Sequence, residues 1–383
     1  MKNLLICGWY GTETLGDRAI LAGIFKILSN TSFGKNIKIA SLYPFLTKRT
    51  FIEDMPIYRD ILKDSNLCFF DVYDKDVLDN EIEASDLVVF GGGPIMDLAE
   101  LNIIKYIFSN AKRKGKKTAI IGCGLGPLYR KQYINKAKKI LNKADIIIFR
   151  DKKSVDTARN ILNESNKKIQ YSHDPAVLSC FHYMNSNSNS STTDRNYIAV
   201  NLREFNNIGF KSDIYLSDDK IIKLLKGLSR NFNNKIKLVP MHTFGIGGDD
   251  RYYLTKLKDQ IKIENIEILH KPLNLFELFD VYSNAYSCIG MRYHSIVFQT
   301  LLNGNNFILD YTDKANGKIS SFLELIDDKN FYDDRYINVL QDVSMEKINM
   351  IPLILKQNNC FDVQHEIYNK TIDSYVKLLN SIM

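Results

Sequence analysis

The feature that most constrains this chain is a repeated alternation: short runs of β-branched and apolar residues give way, again and again, to longer amphipathic stretches. That pattern is expected of parallel strands covered on both faces by helices. In the first half, Asn3 to Cys7, Ile37 to Leu42, Leu87 to Phe90, Thr118 to Gly122 and Asp145 to Phe149 read as strands. Helices at Asp17 to Leu28, Leu101 to Arg113, Gln132 to Ala144 and Ser154 to Leu162 separate them. The run from Asn185 to Asp194 has no apolar residue to bury, so 185–195 reads as a linker or loop. Beyond it the alternation restarts, with strands at Tyr197 to Leu202, Ile236 to Pro240, Ile266 to Leu269, Ser287 to Gly290 and Phe307 to Tyr311. Helices are expected around Asp219 to Leu228, Asp250 to Ile263, Leu273 to Asn284, Ser295 to Asn303 and Ile319 to Ile326.

A chain of 383 residues exceeds one ordinary core, so the expectation is an α/β protein of two doubly wound Rossmann-like domains, at 1–184 and 196–364. Their sheets would face a cleft with their carboxyl ends, a GT-B-like architecture, and a helix in 365–383 would pack back on the first domain. The start, Met1 to Gly8, has an apolar part too short for a signal peptide and reads as the first strand. Six scattered cysteines without paired spacing argue against a disulfide frame or a zinc site and fit a reducing cytoplasm. The surplus of 51 basic over 44 acidic residues is small and not organised with aromatics on one stripe, which argues against nucleic acid as a partner. One cluster, Lys112 to Lys117, reads as a solvated helix end. Its sharper reading is a peripheral contact with anionic headgroups at the inner face of the membrane.

Candidate site residues sit where strands end. Cys288 to Ser295 places Arg292 and His294 between a short strand and an apolar helix, a junction whose free N–H groups favour anions. Strand one runs into Gly8 to Asp17, with Gly11 and Gly16 inside it; Asp17 is either the cap of the next helix or a base for a hydroxyl. Gly91-Gly92-Gly93 and Gly122 to Pro127, with Gly124 and Gly126, provide either tight packing or a close approach of backbone to substrate. Arg150 is either in a buried pair with Asp151 or Asp174 or a ligand for carboxylate or phosphate, and His173 to Ala176 is a turn that orients it. Lys314 is the next cation at a strand end.

Taken in order, Gly8 to Asp17, Gly91 to Gly93, Gly122 to Pro127, Arg150-Asp151, Asp174 to Ala176 and Arg292 to His294 resemble the motifs of the polysaccharide pyruvyl transferase family, over about residues 1 to 320. The first loop departs from the family pattern, carrying Glu13-Thr14-Leu15 where relatives have asparagine before the Gly-Asp. The resemblance implies a GT-B-like fold and transfer of the enolpyruvyl group of phosphoenolpyruvate onto two hydroxyls of a sugar, forming a pyruvate ketal in cell-surface polysaccharide biosynthesis. It further implies Arg150, Arg292, His294 and Lys314 as donor ligands and His294 and Asp17 as catalytic groups, with the glycine loops and Asp17 on the acceptor side in the first domain. The sugar acceptor would be nucleotide-linked or lipid-linked, with no cofactor and no metal required.

Two other classes compete. A GT-B glycosyltransferase using a nucleotide sugar would share the architecture, and a non-catalytic binding protein of an envelope-assembly complex would share the linker and the basic cluster.

Overall fold

The computed structural model describes residues 2–12, 14–63, 65–163, 169–187, 195–204, 216–245, 248–312, 317–341 and 343–382. It divides into two compact units, one of residues 1–182 and 365–383, the other of residues 183–364.

The first unit is a seven-stranded parallel sheet of β1 (Asn3–Cys7), β2 (Asn36–Ser41), β3 (Asn66–Asp71), β4 (Leu87–Gly91), β5 (Lys117–Cys123), β6 (Ile146–Phe149) and β7 (Ile169–Tyr171). Its spatial order is β3-β2-β1-β4-β5-β6-β7, so the chain reverses direction across the sheet between β1 and β4. The helices of this unit are α1 (Leu15–Leu28), α2 (Pro44–Glu53), α3 (Met55–Tyr58), α4 (Lys75–Ala84), α5 (Leu101–Arg113), α6 (Lys131–Lys143) and α7 (Lys152–Leu162). α8 (Ala176–Ser186) follows and crosses the boundary between the units.

The second unit repeats the theme with β8 (Tyr197–Val200), β9 (Lys235–Leu238), β10 (Ile266–Ile268), β11 (Ser287–Gly290), β12 (Asn306–Asp310) and β13 (Tyr336–Asn338), in the order β10-β9-β8-β11-β12-β13. Its helices are α9 (Asp218–Asn231), α10 (Asp250–Ile261), α11 (Leu275–Ser283), α12 (Tyr293–Leu302), α13 (Lys318–Ile326) and α14 (Met345–Lys356). Here the reversal lies between β8 and β11, whose paired residues run Ser287 with Ile198 to Ile289 with Val200. Such reversals open a crevice at the carboxyl ends of the strands, where ligands of doubly wound sheets bind.

Burial explains which strands the sequence announces. Leu4, Leu5, Ile6, Val88, Val89, Ile120, Ile121 and Ile148 are fully buried, as befits strands covered on both faces, and each such side chain contributes about 1.5–3 kcal/mol. Elements the periodicity did not announce are the edge strands β3, β7 and β13, the helices α2, α3, α4 and α14, and α8. β3 has one buried residue and β7 has one, so neither presents the continuous apolar run of a central strand. α8 extends through Ser186, two residues into the stretch expected as linker; 188–194 lie outside the described residues.

The last helix, α15 (Glu366–Asn380), belongs to the first unit. Tyr375 is fully buried and donates its hydroxyl to the His173 carbonyl at 2.8 Å, Thr371 Oγ1 lies 3.1 Å from His173 Nδ1, and the Ser374 and Ser172 hydroxyls meet at 2.6 Å. Pro175, next in that turn, wedges against two glycines. A Cβ on Gly23 of α1 would lie 1.8 Å from the Pro175 carbonyl oxygen, and one on Gly122 would lie 2.2 Å from the Pro175 ring. Among the described residues no helix is long and apolar enough to cross a membrane.

Because the Gly23 contact is with backbone, it cannot be relieved by a side-chain rotation. Gly23→Ala is expected to destabilise the protein by about 1–3 kcal/mol, read as a fall in the thermal or denaturant midpoint, whereas alanine at exposed Gly245, with open space around it, should leave the midpoint unchanged.

Candidate active site

The second unit brings the end of β8, the start of α10, the end of β11 and the end of β12 to one place. Asn201, directly after β8 and fully buried, ties them: its Oδ1 accepts from the Arg292 N–H at 2.9 Å and from the Ser295 hydroxyl at 2.8 Å, and its Nδ2 donates to the Val239 carbonyl at 2.9 Å. This buried amide thus fixes the turn between β11 and α12 against the strands on its other side. Arg292 is the residue preceding α12, with extended backbone, and Tyr293 and His294 open the helix.

The Arg292 guanidinium is locked in place by Asp250, which sequence reading did not single out. Arg292 Nε reaches Asp250 Oδ2 at 2.8 Å and Oδ1 at 3.1 Å, and Nη2 also bonds Oδ1. Both side chains are nearly buried, and the second oxygen of Asp250 accepts from the Met241 and His242 N–H groups at 3.0 and 3.1 Å. A bidentate, fully bonded pair of this kind holds a guanidinium at one orientation. Among the described residues no further hydrogen bond reaches that guanidinium. The His294 ring packs between Tyr293, at 4.8 Å, and Phe298, at 5.9 Å and nearly parallel.

Three more residues join this cluster that the sequence reading missed. The Arg203 guanidinium lies 4.8 Å over the Tyr311 ring, and Lys318 Nζ is 5.6 Å from the rings of both Tyr311 and Tyr293. Tyr311 is buried while Arg203 and Lys318 are half-buried, so a buried phenol underlies two cations open to ligand. Burial alone would raise the Tyr311 pKa, but Lys318, Arg203 and Arg292 outweigh it and hold it at about 8. Arg203 is pushed the other way, below the ordinary guanidinium value, by burial, with the neighbouring Arg292 adding to the effect and Tyr311 and Asp250 opposing it. Lys318 was legible in principle, as the first residue of a helix following a strand end. Lys314, expected here from sequence, lies outside the described residues.

In the first unit, the loops after β1 and β4 meet at the other reversal. The Trp9 indole N–H donates to the Pro94 carbonyl at 2.9 Å and the Tyr10 hydroxyl to Gly91 at 2.5 Å. Of the two readings of Asp17, the cap of α1 is corrected: Thr14 is the residue preceding the helix, and its hydroxyl donates to Asp17 Oδ2 at 2.5 Å within the first turn. The helix begins two residues earlier than expected, with Gly16 buried in its first turn, because the loop is tied down through Trp9 and Tyr10. Asp17 lines a cavity of about 20 Å³ with Trp9, Tyr10, Thr14, Arg18 and Tyr58, room for about one water molecule.

The glycines here have packing reasons. Gly93, at φ +72, would place a Cβ 2.2 Å from Trp9 and 3.2 Å from Asp17 Oδ1, and Gly11, at φ +92, would drive one into the Tyr43 backbone. A Cβ on Gly91 would strike Ile24, one on Gly92 would press on Tyr10, and one on Gly124 would crowd Arg150. Gly126 instead hydrogen-bonds through its N–H to the Ile95 carbonyl at 2.7 Å.

Of the two readings of Arg150, the structure displays the buried pair. Its Nη1 donates to Asp174 Oδ2 at 3.0 Å with both side chains buried, while Asp174 Oδ1 accepts from the Ala176 N–H at 2.9 Å. Asp151 is not the partner; it caps α7 by accepting from the Ser154 N–H at 2.7 Å. In the basic cluster, Lys112 pairs with Asp145 and Lys114 with Glu83, so part of its charge is matched locally.

Two α/β units, each with its strand order reversing at a loop cluster, define a GT-B-like protein whose second unit gathers an arginine–histidine turn and half-buried cations. The comparisons agree. A model of the polysaccharide pyruvyl transferase family matches residues 15–313, and the chain belongs to that family. The match contains Asp17, Arg150, Arg292 and His294 and ends one residue before Lys314. No curated protein matches the sequence. Among solved structures the fold is similar to UDP-GlcNAc 2-epimerase from Methanocaldococcus jannaschii, at 16% identity and TM-score 0.65 over all of both chains. It is similar too to the UDP-N-acetylglucosamine 2-epimerase from Rickettsia bellii, at 10% identity and TM-score 0.63 over all of this chain and 96% of that one. The UDP-GlcNAc 2-epimerase from Neisseria meningitidis, bound to UDP-GlcNAc, follows at 9% and 0.61, over all of this chain and 99% of that one. At such identities the likeness shows the GT-B-like fold alone.

Two outcomes follow from the cluster. Asp250→Ala leaves the Arg292 charge buried and two N–H groups unmatched, and is expected to cost about 3–5 kcal/mol in denaturant unfolding. A phenolate absorbance titration should show one tyrosine ionising at about pH 8, missing from Tyr311→Phe. Since that native pKa lies below the unfolded value of about 10, the stabilisation it contributes is full above pH ~10 and lost as pH falls through about 8.

Proposed function

We propose that this polysaccharide pyruvyl transferase uses phosphoenolpyruvate as donor and places the pyruvyl group as a ketal on two hydroxyls of one sugar of a cell-surface polysaccharide precursor. The observation that carries the reading is the Arg292-Tyr293-His294 turn, at the strand reversal of the second unit and inside the family match. Phosphoenolpyruvate bears a carboxylate and a phosphate, and a guanidinium held at one orientation, a histidine and the first N–H groups of a helix are suited to both.

The chemistry assigns roles. A proton added to the donor methylene carbon makes an oxocarbenium-like centre at C2, which one sugar hydroxyl attacks with loss of its proton. Departure of phosphate regenerates the cationic centre, and the second hydroxyl closes the ketal. Of the two hydroxyl protons, one balances that added to carbon and the other leaves with phosphate. Arg292 would bind the anionic groups, and His294 would donate the proton or follow the departing phosphate. Arg150 and Lys314 are assigned to the donor on the family resemblance, and Asp17 to the acceptor hydroxyl, with the glycine loops beside it on the acceptor side. No cofactor enters this scheme. The acceptor would be nucleotide-linked or lipid-linked, and the reaction would take place in the cytoplasm or at the inner face of the membrane.

The protein should release phosphate from phosphoenolpyruvate only when a competent sugar acceptor is supplied. His294→Ala should lower kcat/KM by about 10²–10⁴-fold while the protein still folds. Turnover of a UDP-sugar with no response to phosphoenolpyruvate would replace this reading by the nucleotide-sugar glycosyltransferase.

A further inference from the structure

Among the described residues, the charges of the second-unit site do not balance through carboxylates alone. Asp250 is committed to Arg292 on both oxygens, and its other bonds are backbone N–H groups. Asp310, beside Tyr311, is buried and accepts from the Thr312 N–H at 2.7 Å, the Thr312 hydroxyl at 2.6 Å and the Tyr336 hydroxyl at 2.6 Å. Its pKa is raised by burial, against those hydrogen bonds and Lys318. Arg203 from the end of β8, Arg292 from the end of β11 and Lys318 from α13 therefore share the ring and hydroxyl of Tyr311 at the end of β12.

We propose that Tyr311 is the exchangeable counter-charge of this anion site: in its phenolate form it offsets Arg203 and Lys318 beside the Arg292–Asp250 pair, and it takes up a proton when a small phosphate-bearing anion settles on those cations. The inference rests on the anion site of the proposed donor, though not on which anion fills it. Its physical cause is simple. An anion placed on Arg203 and Lys318 cancels the field that favours the phenolate, while the burial that disfavours it stays, so the phenol reprotonates. Tyr311 is thus a positioning residue, which keeps two half-buried cations oriented before the ligand arrives and withdraws its own charge when the ligand replaces it. A carboxylate in its place would remain ionised and compete with the donor.

Isothermal calorimetry at about pH 8.5, in two buffers of different ionisation enthalpy, tests this with phosphoenolpyruvate and with inorganic phosphate. At that pH the phosphate group of each probe is almost wholly dianionic, so uptake must come from the protein. The expected result is a binding heat that depends on the buffer, corresponding to uptake of most of one proton per anion. Affinity should fall by up to about tenfold per pH unit above pH ~8. Tyr311→Phe should still bind but lose both the buffer dependence and the fall. Phosphoenolpyruvate binding with buffer-independent heat overturns the proposal and leaves the donor reading standing. Proton uptake with phosphate, but no binding of phosphoenolpyruvate, keeps the proposal and removes the donor. Uptake that persists in Tyr311→Phe assigns the proton elsewhere and overturns it, as does failure of both anions to bind. Should Tyr311→Phe fail to fold, the tyrosinate absorbance of the wild type decides: it falls on anion binding if the proposal holds, and no change overturns it.

Discussion

The bidentate bond between Arg292 and Asp250 is the interaction on which the second-unit site depends. A guanidinium beside a sheet end is, by itself, a long flexible side chain that samples many rotamers. Here the carboxylate takes one edge of it, the backbone of Met241 and His242 fixes the carboxylate, and Asn201 fixes the backbone from which the arginine springs. The chain of bonds runs across β9, β8 and β11, the three strands around the reversal, so the position of the cation is set by the sheet itself. Desolvating two charges is costly, and the pair offsets that cost only because each remaining polar atom of Asp250 is bonded. What this arrangement provides is orientation more than stability: one face of a cation presented at a fixed angle to whatever enters the crevice.

The first unit uses a different device at the equivalent place. Its two loops hold each other through aromatic side chains donating to backbone carbonyls, Trp9 to Pro94 and Tyr10 to Gly91, and the glycines opposite are absent side chains that let those rings in. An ion pair then backs the loop from behind, with Arg18 Nε and Nη2 each 2.6 Å from Asp54 in nearly complete burial. One reversal is thus built rigid and polar-lined by packing, and the other is built around charge.

How much of this could be read from sequence follows the same physics. Central strands such as Val88-Val89-Phe90 and Ile146-Ile147-Ile148 are buried on both faces and announce themselves as apolar runs, and Leu101 to Arg113 shows its helix through spacing alone. Edge strands β3 and β7 meet solvent and carry mixed residues, so local pattern is silent about them. At the site, Arg292 and His294 stood out because a charged pair at a strand–helix junction is uncommon. Asp250 did not, since an aspartate at the head of a helix reads as part of an ordinary first turn, and its true partner lies 42 residues away in sequence. Asn201 and Arg203 were hidden at the end of an apolar run read as strand. The glycine clusters were visible as motifs, but whether a glycine makes room for substrate or for Trp9 is a fact about the fold, which no spacing encodes.

Tyr311 shows most plainly why a site cannot be inventoried by residue type. A tyrosine after a strand is an unremarkable surface-covering residue in sequence, and its hydroxyl is ordinarily neutral far above physiological pH. Here burial removes water from the phenol while Lys318, Arg203 and Arg292 surround it with positive charge, and the second effect outweighs the first. The outcome reflects a choice of chemistry for the counter-charge. An aspartate would neutralise the cations permanently, and nothing at all would leave Arg203 and Lys318 repelling each other beside the Arg292–Asp250 pair. A phenol lies between: it is anionic enough to hold the cations together before a ligand comes, and weak enough as an acid to give way to a phosphate.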